Sequence, residues 1–440
     1  MTQATPMDTA ALHQADLKHV WHPFTQYAEW RQRDPLMIES ARGAELFDTD
    51  GNSYLDAIGS LWVGVHGHRH PVVDKAVQDQ LEKVAHSTFL GLSHRPAVEL
   101  ATQLVELVPG NLNRVFYSDS GSTAVEVALK MAFQAQQQRG QSQRTRFASL
   151  REAYHGDTVG SVSVGGIDLF HGVYKPLLFE STNLDCPDHY EDEDRLAQAA
   201  CKKLDEVGEE LVAIVVEPLV QGAAGMRMHS PRFLDPVLAH ARRLGALVVV
   251  DEVATGFGRT GTLFASEQLE TTPDLMCLGK GLTNGYLPLA VTLATEKIFE
   301  AFTGAHAKTF FHGHTYTANP LGCAAAIATL NLFREEETMA GVDRLVEVLG
   351  SRLAPLEKRK DVARVRQKGL MVGIDLLAPD GAPLDSAART GHQVCMAVRE
   401  HGVILRPLGD TVVMMPPLCM TPAQIGRVVE VFEEVMDARS

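Results

Sequence analysis

The stretch from residue 246 to residue 280 constrains the fold of this chain more than any other part of its sequence. Its first apolar run, residues 246–250, has the composition of a buried strand and is followed at once by the carboxylate of Asp251. A second apolar run, residues 275–278, comes shortly before the amine of Lys280. The segment between the runs is long enough for one crossover connection, so we expect parallel neighbouring strands. Asp251 and Lys280 would then lie together at the carboxyl edge of one sheet, where open α/β folds bind ligands.

An acid and an amine at one sheet edge suit the chemistry of pyridoxal phosphate (PLP). In PLP enzymes a lysine amine forms a Schiff base with the cofactor, and an acid keeps the pyridine nitrogen protonated so that the ring withdraws electrons. We therefore predict that Lys280 is a catalytic residue that binds PLP, and that Asp251 binds the ring nitrogen.

Three glycines within this stretch offer a competing interpretation. Gly256, Gly258 and Gly261 match the G-x-G-x-x-G pattern of dinucleotide-binding folds. In those folds the glycines form the turn directly after the strand and open a helix. Here residues 251–255 separate the strand from the glycines, and residues 259–262 are a poor start for a helix. The pattern therefore favours a PLP enzyme over a nicotinamide-dependent dehydrogenase.

Strand-like runs alternate with helical stretches through the middle of the chain. The further strand-like runs are residues 114–117, 147–150 and 212–216, and the clearest helical stretches are residues 123–138 and 231–244. This alternation is typical of an α/β fold with a mostly parallel sheet and helices on both faces. We predict a large domain over residues 70–330 and a smaller α+β domain over residues 331–440. The N-terminal segment, residues 1–69, is expected to pack with the smaller domain.

The composition excludes several other classes of protein. The 40 basic and 55 acidic residues give a formal charge of −15, which argues against a nucleic-acid partner. We find no apolar run of transmembrane length and no signal-peptide pattern, and so expect no membrane contact. The six cysteines form no C-x-x-C motif, so we expect no disulfide framework, no zinc site and a reducing cytoplasm.

Three more predicted strands end at the same sheet edge, and each is followed by polar residues. Residues 118–123 follow the first of these strands and open a helix. Their backbone N–H groups could bind a phosphate or simply form a helix cap, and their nearness to the predicted PLP site favours the phosphate. Tyr154 could stack on the pyridine ring or be structural. Glu217 could face the substrate or an arginine, or cap a loop.

Charged and imidazole side chains elsewhere give weaker signals. Arg406 follows a predicted strand, and its guanidinium suits a substrate carboxylate. Arg259, within the glycine-rich loop, is expected to be structural. The histidines of residues 66–70 lack acidic or cysteine companions at zinc-like spacing, so we expect structural histidines and no metal.

Over essentially its full length the chain resembles class III PLP-dependent aminotransferases, which have the fold-type I architecture. The segments that carry the resemblance are WHPFTQ from Trp21, HGH from His66, SDSGSTAVEVALKMA from Ser118, YHGDT from Tyr154, EPLVQGAAGMRM from Glu217, DEVATGFGRTG from Asp251, HGHTYTANPLGCAAA from His312 and RPLGD from Arg406. The first and last of these resemble the branch that aminates 8-amino-7-oxononanoate in biotin biosynthesis.

The resemblance implies the cofactor-binding residues of a PLP site. Lys280 would bind PLP and move the proton between the substrate carbon and the cofactor, and Asp251 would pair with the pyridinium nitrogen. Val253 would pack against the ring. The phosphate would be bound by Gly121 and Ser122.

The resemblance also implies how the substrate and a second subunit take part. Tyr154 would lie over the ring as a catalytic and binding residue, Gly313 would line the substrate pocket, and Arg406 would bind the substrate carboxylate. His314 and Thr315 would reach the phosphate of the neighbouring subunit's PLP, which implies a homodimer with shared active sites.

Departures from the family pattern bear on the amino donor. Relatives that use S-adenosylmethionine carry tyrosine where this chain has Phe24, and a Trp-Trp pair where it has Leu61 and Trp62. These positions are predicted to contact the donor, and the changes lean toward L-lysine as donor, although they could be packing changes alone. His314 stands where the relatives have proline.

Two alternative functions are open. The first is another class III ω-aminotransferase acting on diamines, β-alanine or 4-aminobutyrate. The second is a non-catalytic PLP-binding protein.

Overall fold

The chain folds around a seven-stranded sheet, seen in a computed structural model that describes residues 7–33 and 35–439. Residues 1–6, 34 and 440, which belong to the first and last predicted segments, lie outside the described residues. The strands are β1 Ile38–Arg42, β2 Glu45–Asp48, β3 Ser53–Asp56, β4 Leu112–Ser118, β5 Arg146–Leu150, β6 Ser181–Leu184, β7 Leu211–Val216, β8 Val220–Gln221, β9 Arg227–Met228, β10 Leu247–Asp251, β11 Leu275–Leu278, β12 Ala290–Thr295, β13 Val362–Lys368, β14 Met371–Leu376, β15 Val403–Ile404, β16 Arg406–Leu408 and β17 Thr411–Met414.

Helices cover the sheets and link them. The helices are α1 Thr9–His19, α2 Tyr27–Trp30, α3 Gly59–Trp62, α4 Pro71–Leu81, α5 Arg95–Leu107, α6 Gly121–Gln138, α7 Val159–Ser163, α8 Asp168–His171, α9 Glu193–Val207, α10 Pro231–Arg243, α11 Glu296–Ala301, α12 Pro320–Glu335, α13 Thr338–Leu353, α14 Thr390–Glu400 and α15 Pro422–Asp437. Of these, α3 is a single turn that contains left-handed residues. In the part of the chain that the structure describes, no helix is long and apolar enough to span a membrane.

The central sheet is mostly parallel, as predicted. Its strand order is β4-β12-β11-β10-β7-β5-β6, and β12 is antiparallel to both of its neighbours. All residues of β7 and β10 are buried, as expected for strands that carry helices on both faces of a sheet. Strand β10 pairs in parallel with β11, with Asp251 opposite Cys277. The strand adjacency inferred from the sequence is therefore confirmed.

Helix α6 packs lengthwise on this sheet and begins two residues before the predicted start. The side chain of Ser120 accepts a hydrogen bond from the backbone N–H of Thr123, and the side chain of Thr123 accepts one from the backbone N–H of Ser120. This capping box extends the helical turn back to Gly121. Small residues of α6, including Ala124 and Ala128, are fully buried against the strands, so the helix lies close to the sheet.

Two smaller sheets complete the fold. Strands β13, β14, β17 and β16 form an antiparallel sheet in that order. The N-terminal hairpin of β2 and β3 continues into a parallel pairing of β3 with β15, so the first segment of the chain shares a sheet with the last. The proposed domain boundaries near residues 70 and 331 remain a prediction.

Candidate active site

Several strands of the central sheet end around one cavity of about 470 Å³. Strand β10 ends at Asp251, and β11 ends shortly before Lys280. The cavity is lined by Trp62, Ser120, Gly121, Ser122, Tyr154, His155, Gly156, Asp157, Thr158, Glu217, Asp251, Val253, Ala254 and Lys280. The structure thus brings together seven of the predicted site residues: Trp62, Gly121, Ser122, Tyr154, Asp251, Val253 and Lys280.

The amine of Lys280 lies in the interior of the protein. Burial lowers the pKa of Lys280, and the negative charges of Asp251 and Glu217 only partly oppose this. A larger fraction of the amine is therefore unprotonated near neutral pH than in a surface lysine, as a nucleophile requires. The Nζ atom lies 5.2 Å from the centre of the Trp62 ring. The backbone of Lys280 has a φ of 40°, in the left-handed region, a conformation often found at functional sites.

Asp251 is held through both of its carboxylate oxygens. Oδ1 accepts a hydrogen bond from the backbone N–H of Val253 at 3.0 Å, and Oδ2 accepts one from Nδ1 of His155 at 2.8 Å. Burial acts to lower the pKa of His155, but the hydrogen bond and charge of Asp251 outweigh it and raise that pKa. A carboxylate held in this position is the group that would keep a pyridine nitrogen protonated.

The sequence reasoning missed His155. The side chain is fully buried, and its Nε2 has no hydrogen-bond partner among the described residues. A signal was present, because His155 directly follows Tyr154 in the loop after β5. In the structure β5 lies next to β7 and two strands from β10. Its partner Asp251 lies far away in the sequence, so the pairing itself could not be read from the chain.

Glu217 is a buried carboxylate at the same edge. It accepts hydrogen bonds from the backbone N–H groups of Tyr154 and Gly222, each at 3.1 Å. Burial, together with the charge of Asp251, raises the pKa of Glu217 to about 7. Of the three roles considered from the sequence, Glu217 thus acts as a loop cap, and it also lines the cavity.

The N-terminus of α6 forms a tightly packed rim of the cavity. A Cβ atom added to Gly121 would lie 2.5 Å from Cγ1 of Val253, so only glycine fits there. Gly156 has a φ of 118°, and a Cβ atom on it would lie 2.2 Å from Oγ of Ser122. Backbone N–H groups and the positive end of the helix dipole therefore face the cavity without side chains in the way, as an anion site requires.

Tyr154 presents a phenol to the cavity. Its hydroxyl donates a hydrogen bond of 2.7 Å to Oδ2 of Asp157. Burial and this carboxylate raise the pKa of Tyr154, so the phenol keeps its proton at physiological pH. The ring stacks on His171 with a centroid distance of 6.1 Å.

Six predicted site residues lie outside the cavity lining formed by the described part of one chain. Arg406 is half-buried, and its charge is near enough to Tyr154 to oppose the rise of that residue's pKa. Phe24 and Leu61 are 61% and 47% exposed, and both have positive φ values. The remaining residues are Gly313, His314 and Thr315, of which His314 has Nδ1 at 2.9 Å from Oδ2 of Asp119.

Arg259 and the histidine-rich loop have structural partners. The buried guanidinium of Arg259 donates hydrogen bonds to the carbonyl oxygens of Pro416 at 2.6 Å and Gly64 at 2.5 Å, in agreement with the expected structural role. His66 is buried, with Nε2 at 3.0 Å from the carbonyl oxygen of Thr329. Across residues 7–33 and 35–439, no group of three or more His, Cys, Asp or Glu side chains could hold a metal ion. All six cysteines are free thiols.

Comparison with known proteins gives the class of this protein. The sequence pattern of the family described as Aminotransferase class-III matches residues 26–436. The chain belongs to the class III aminotransferases and is a PLP-dependent aminotransferase with the α/β fold of fold-type I.

Particular relatives are similar over almost the whole chain. A protein of Nitratidesulfovibrio vulgaris named adenosylmethionine-8-amino-7-oxononanoate aminotransferase is 50% identical, covering 96% of this chain and 80% of that protein. The crystal structure of the protein of that name from Methanocaldococcus jannaschii is 38% identical, with a TM-score of 0.95 over 98% of this chain and 100% of that one. The omega transaminase of Pseudomonas jessenii in complex with PMP is 29% identical, with a TM-score of 0.92 over 97% of this chain and 98% of that one.

The residues of the cavity fit PLP. A buried amine of lowered pKa, Lys280, is available for the covalent link, and Asp251 is oriented by His155 and by a backbone N–H group. The glycine-bordered N-terminus of α6 suits the phosphate. Val253 lies between the end of β10 and Gly121, where it can contact an aromatic ring.

Proposed function

We propose that this chain aminates 8-amino-7-oxononanoate to 7,8-diaminononanoate in biotin biosynthesis. The observation that carries the proposal is the similarity in sequence, over nearly the whole chain, to proteins named for that acceptor. The half-buried guanidinium of Arg406 near Tyr154 supports it, because a keto acid needs a cation for its carboxylate. The omega transaminase is less similar, so an ω-aminotransferase acting on diamines, β-alanine or 4-aminobutyrate is the second candidate.

Each residue around the cavity has a separate role in the proposed amino transfer. PLP, when bound, supplies an electron sink for the reacting carbon. The Nζ atom of Lys280 would take the proton from the reacting carbon of the substrate and return it to the cofactor, and burial, which lowers the pKa of this amine, favours its unprotonated form. Asp251, oriented by His155, would hold the proton on the ring nitrogen. Gly121 and Ser122 would bind the phosphate.

Other side chains shape the substrate site. Val253 would pack on one side of the ring, and Tyr154, whose phenol is oriented by Asp157, would lie over it. Trp62 lies beside Lys280. Gly313 and Arg406, which lie outside the cavity lining of the described chain, would line the substrate pocket and bind the carboxylate of the acceptor, as the resemblance implies.

A homodimer is part of the proposal. Large apolar side chains are exposed on the described chain near the loop that carries His314 and Thr315: Leu90 is 77% exposed, Phe311 66% and Tyr316 59%. Leu90 lies beside Gly313, which is in the same loop as Phe311 and Tyr316, and exposed apolar side chains of this size are of the kind that subunit contacts cover. His314 and Thr315 would reach the phosphate of the partner's PLP. We further propose that the enzyme works in the cytoplasm, where its free thiols stay reduced.

L-Lysine is the amino donor that we favour. Phe24 lacks the hydroxyl, and Leu61 the aromatic face, that would help to bind a sulfonium cation. The relatives' name, in contrast, contains adenosylmethionine, which keeps S-adenosylmethionine as the alternative donor.

Spectroscopy tests both the donor and the acceptor. PLP-loaded protein is mixed separately with L-lysine and with S-adenosylmethionine, and the visible band of lysine-bound PLP is followed. We expect L-lysine to bleach the band and added 8-amino-7-oxononanoate to restore it, with 7,8-diaminononanoate detected by mass spectrometry. Lys280→Ala serves as the inactive control. Bleaching by β-alanine or a diamine, with no response to 8-amino-7-oxononanoate, would favour the second candidate instead.

A further inference from the structure

Side chains on one face of helix α6 bind the loop of residues 308–317. Nε2 of Gln134 donates a hydrogen bond to the carbonyl oxygen of Thr309 at 3.1 Å, and Nε2 of Gln138 donates one to that of Lys308 at 3.1 Å. Nζ of Lys130 lies 2.9 Å from Nδ1 of His312. These three side chains of α6 are spaced four residues apart and therefore share one face of the helix.

At the N-terminal end of the same helix, the loop meets Asp119. Nδ1 of His314 lies 2.9 Å from Oδ2 of Asp119, with the two side chains 25% and 37% exposed. The backbone N–H of His314 donates a hydrogen bond to Oγ1 of Thr317 at 2.9 Å, so the turn at the tip of the loop is closed on itself. Asp119 directly precedes Ser120, the capping residue of α6.

One helix therefore connects two different binding surfaces. The N-terminus of α6 borders the cavity of its own chain, while the loop fastened to α6 carries His314 and Thr315. The contact of His314 with Asp119 restrains this loop at the N-terminal end of the helix.

We propose that the Asp119–His314 pair positions the 308–317 loop for the phosphate of the PLP bound in the partner subunit. The inference rests on the proposed function and its homodimer. Asp119 is a positioning residue here, because it acts through His314 and the loop that carries it. Loss of the pair in one subunit then weakens PLP binding in the other subunit.

Mixed dimers separate effects on a subunit's own site from effects on its partner's. One chain carries Lys280→Ala and cannot link PLP covalently; the other keeps Lys280 and alone gives the visible band of lysine-bound PLP. We expect His314→Ala on the Lys280→Ala chain to speed PLP loss from the other chain about two- to fivefold, the size of effect typical of a partly exposed polar contact. His314→Ala on the chain that keeps Lys280 leaves the rate unchanged.

A double-substitution comparison tests the pair itself. On the Lys280→Ala chain, Asp119→Asn should speed PLP loss as much as His314→Ala does, and the two together should do no more than either alone. His240→Ala, which breaks the His240–Asp205 pair between α9 and α10, is the matched control and should have no effect.

Two outcomes overturn the proposal: equal rates of PLP loss in all mixed dimers, or a faster loss only when His314→Ala lies on the chain that keeps Lys280. A wild-type protein that is monomeric, or that shows no band of lysine-bound PLP, removes the proposed function itself and is seen before any variant is made.

Discussion

At the scale of single residues, four ionisable groups around the cavity, Lys280, Asp251, His155 and Glu217, influence one another's pKa values. Burial lowers the pKa of Lys280, whereas Asp251 raises that of His155. Glu217, held by two backbone N–H groups, has a pKa of about 7. The site therefore combines an amine whose lowered pKa favours its neutral form with an aspartate held by a histidine, which is the combination that amino transfer needs.

The raised pKa of Glu217 predicts a pH-dependent stability. The unfolded chain loses this proton near the ordinary pKa of 4.5, whereas the folded protein keeps it up to about 7. The stabilisation is fully present below about pH 4.5 and is lost as the pH rises to about 7. The side chain in Glu217→Gln stays neutral at every pH. From about pH 4.5 to about pH 7 the free energy of unfolding of this variant should therefore fall less than that of the wild-type protein, by an amount on the order of 3 kcal/mol. Parallel denaturation curves of both proteins from pH 5 to 8 measure this; identical pH profiles would contradict it.

Arg406 makes a prediction for substrate binding. Arg406→Ala should raise the KM for 8-amino-7-oxononanoate roughly ten- to a hundredfold, because a charge-assisted hydrogen-bond pair to the carboxylate is lost. The kcat should change little, since the reacting carbon is not touched. Arg406→Lys should fall between the two in steady-state kinetics, as it keeps the charge but not the forked geometry. An unchanged KM in Arg406→Ala would remove Arg406 from the site.

At the scale of elements, the close packing around the start of helix α6 requires two glycines, which have no side chain. Gly121 and Gly156 leave room for Val253 and Ser122, and their lack of Cβ atoms lets the helix end approach the ends of β5 and β10. The motif around residue 120 could be found in the sequence because a helix cap is a local pattern. The contact of Gly121 with Val253 could not, since it joins two distant segments.

Substitution of Gly121 tests this packing. Gly121→Ala should lower the free energy of unfolding by about 1–3 kcal/mol and weaken PLP binding, because its Cβ would overlap Cγ1 of Val253. Adding Val253→Ala should recover part of the loss by making room. Gly341→Ala, in α13 with no atom within 4 Å of its Cβ position, is the matched control and should be neutral or slightly stabilising. Urea denaturation and PLP titration give both quantities; no recovery in the double variant would argue against the overlap.

At the scale of the whole molecule, Arg259 joins three distant segments. Its guanidinium binds the carbonyl oxygens of Gly64 and Pro416, and its own carbonyl oxygen accepts the backbone N–H of Leu370. Burial lowers its pKa to about 10, so the side chain is still charged at neutral pH. The glycine-rich loop that resembles a dinucleotide motif is thus a structural junction.

Loss of Arg259 should destabilise the whole molecule. Arg259→Met leaves two buried carbonyl oxygens without donors and should cost about 3 kcal/mol or more. Arg427→Met, which removes an exposed pair with Glu434, should cost less than about 0.5 kcal/mol. The thermal unfolding midpoints of the two variants provide the comparison, and similar midpoints would refute this role for Arg259.

The amino-acid sequence by itself determined the alternation of strands and helices. It also determined that an acid and a lysine lie together at the carboxyl edge of the sheet. These features follow from local periodicity, from helix caps and from the length of one crossover, all of which are visible in short segments. Only the tertiary structure decided that His155 holds Asp251, that Trp62 faces Lys280, and that His314 meets Asp119. Each of these contacts joins residues far apart in the chain, and Trp62 reaches its place through consecutive left-handed residues, a backbone path that no propensity predicts.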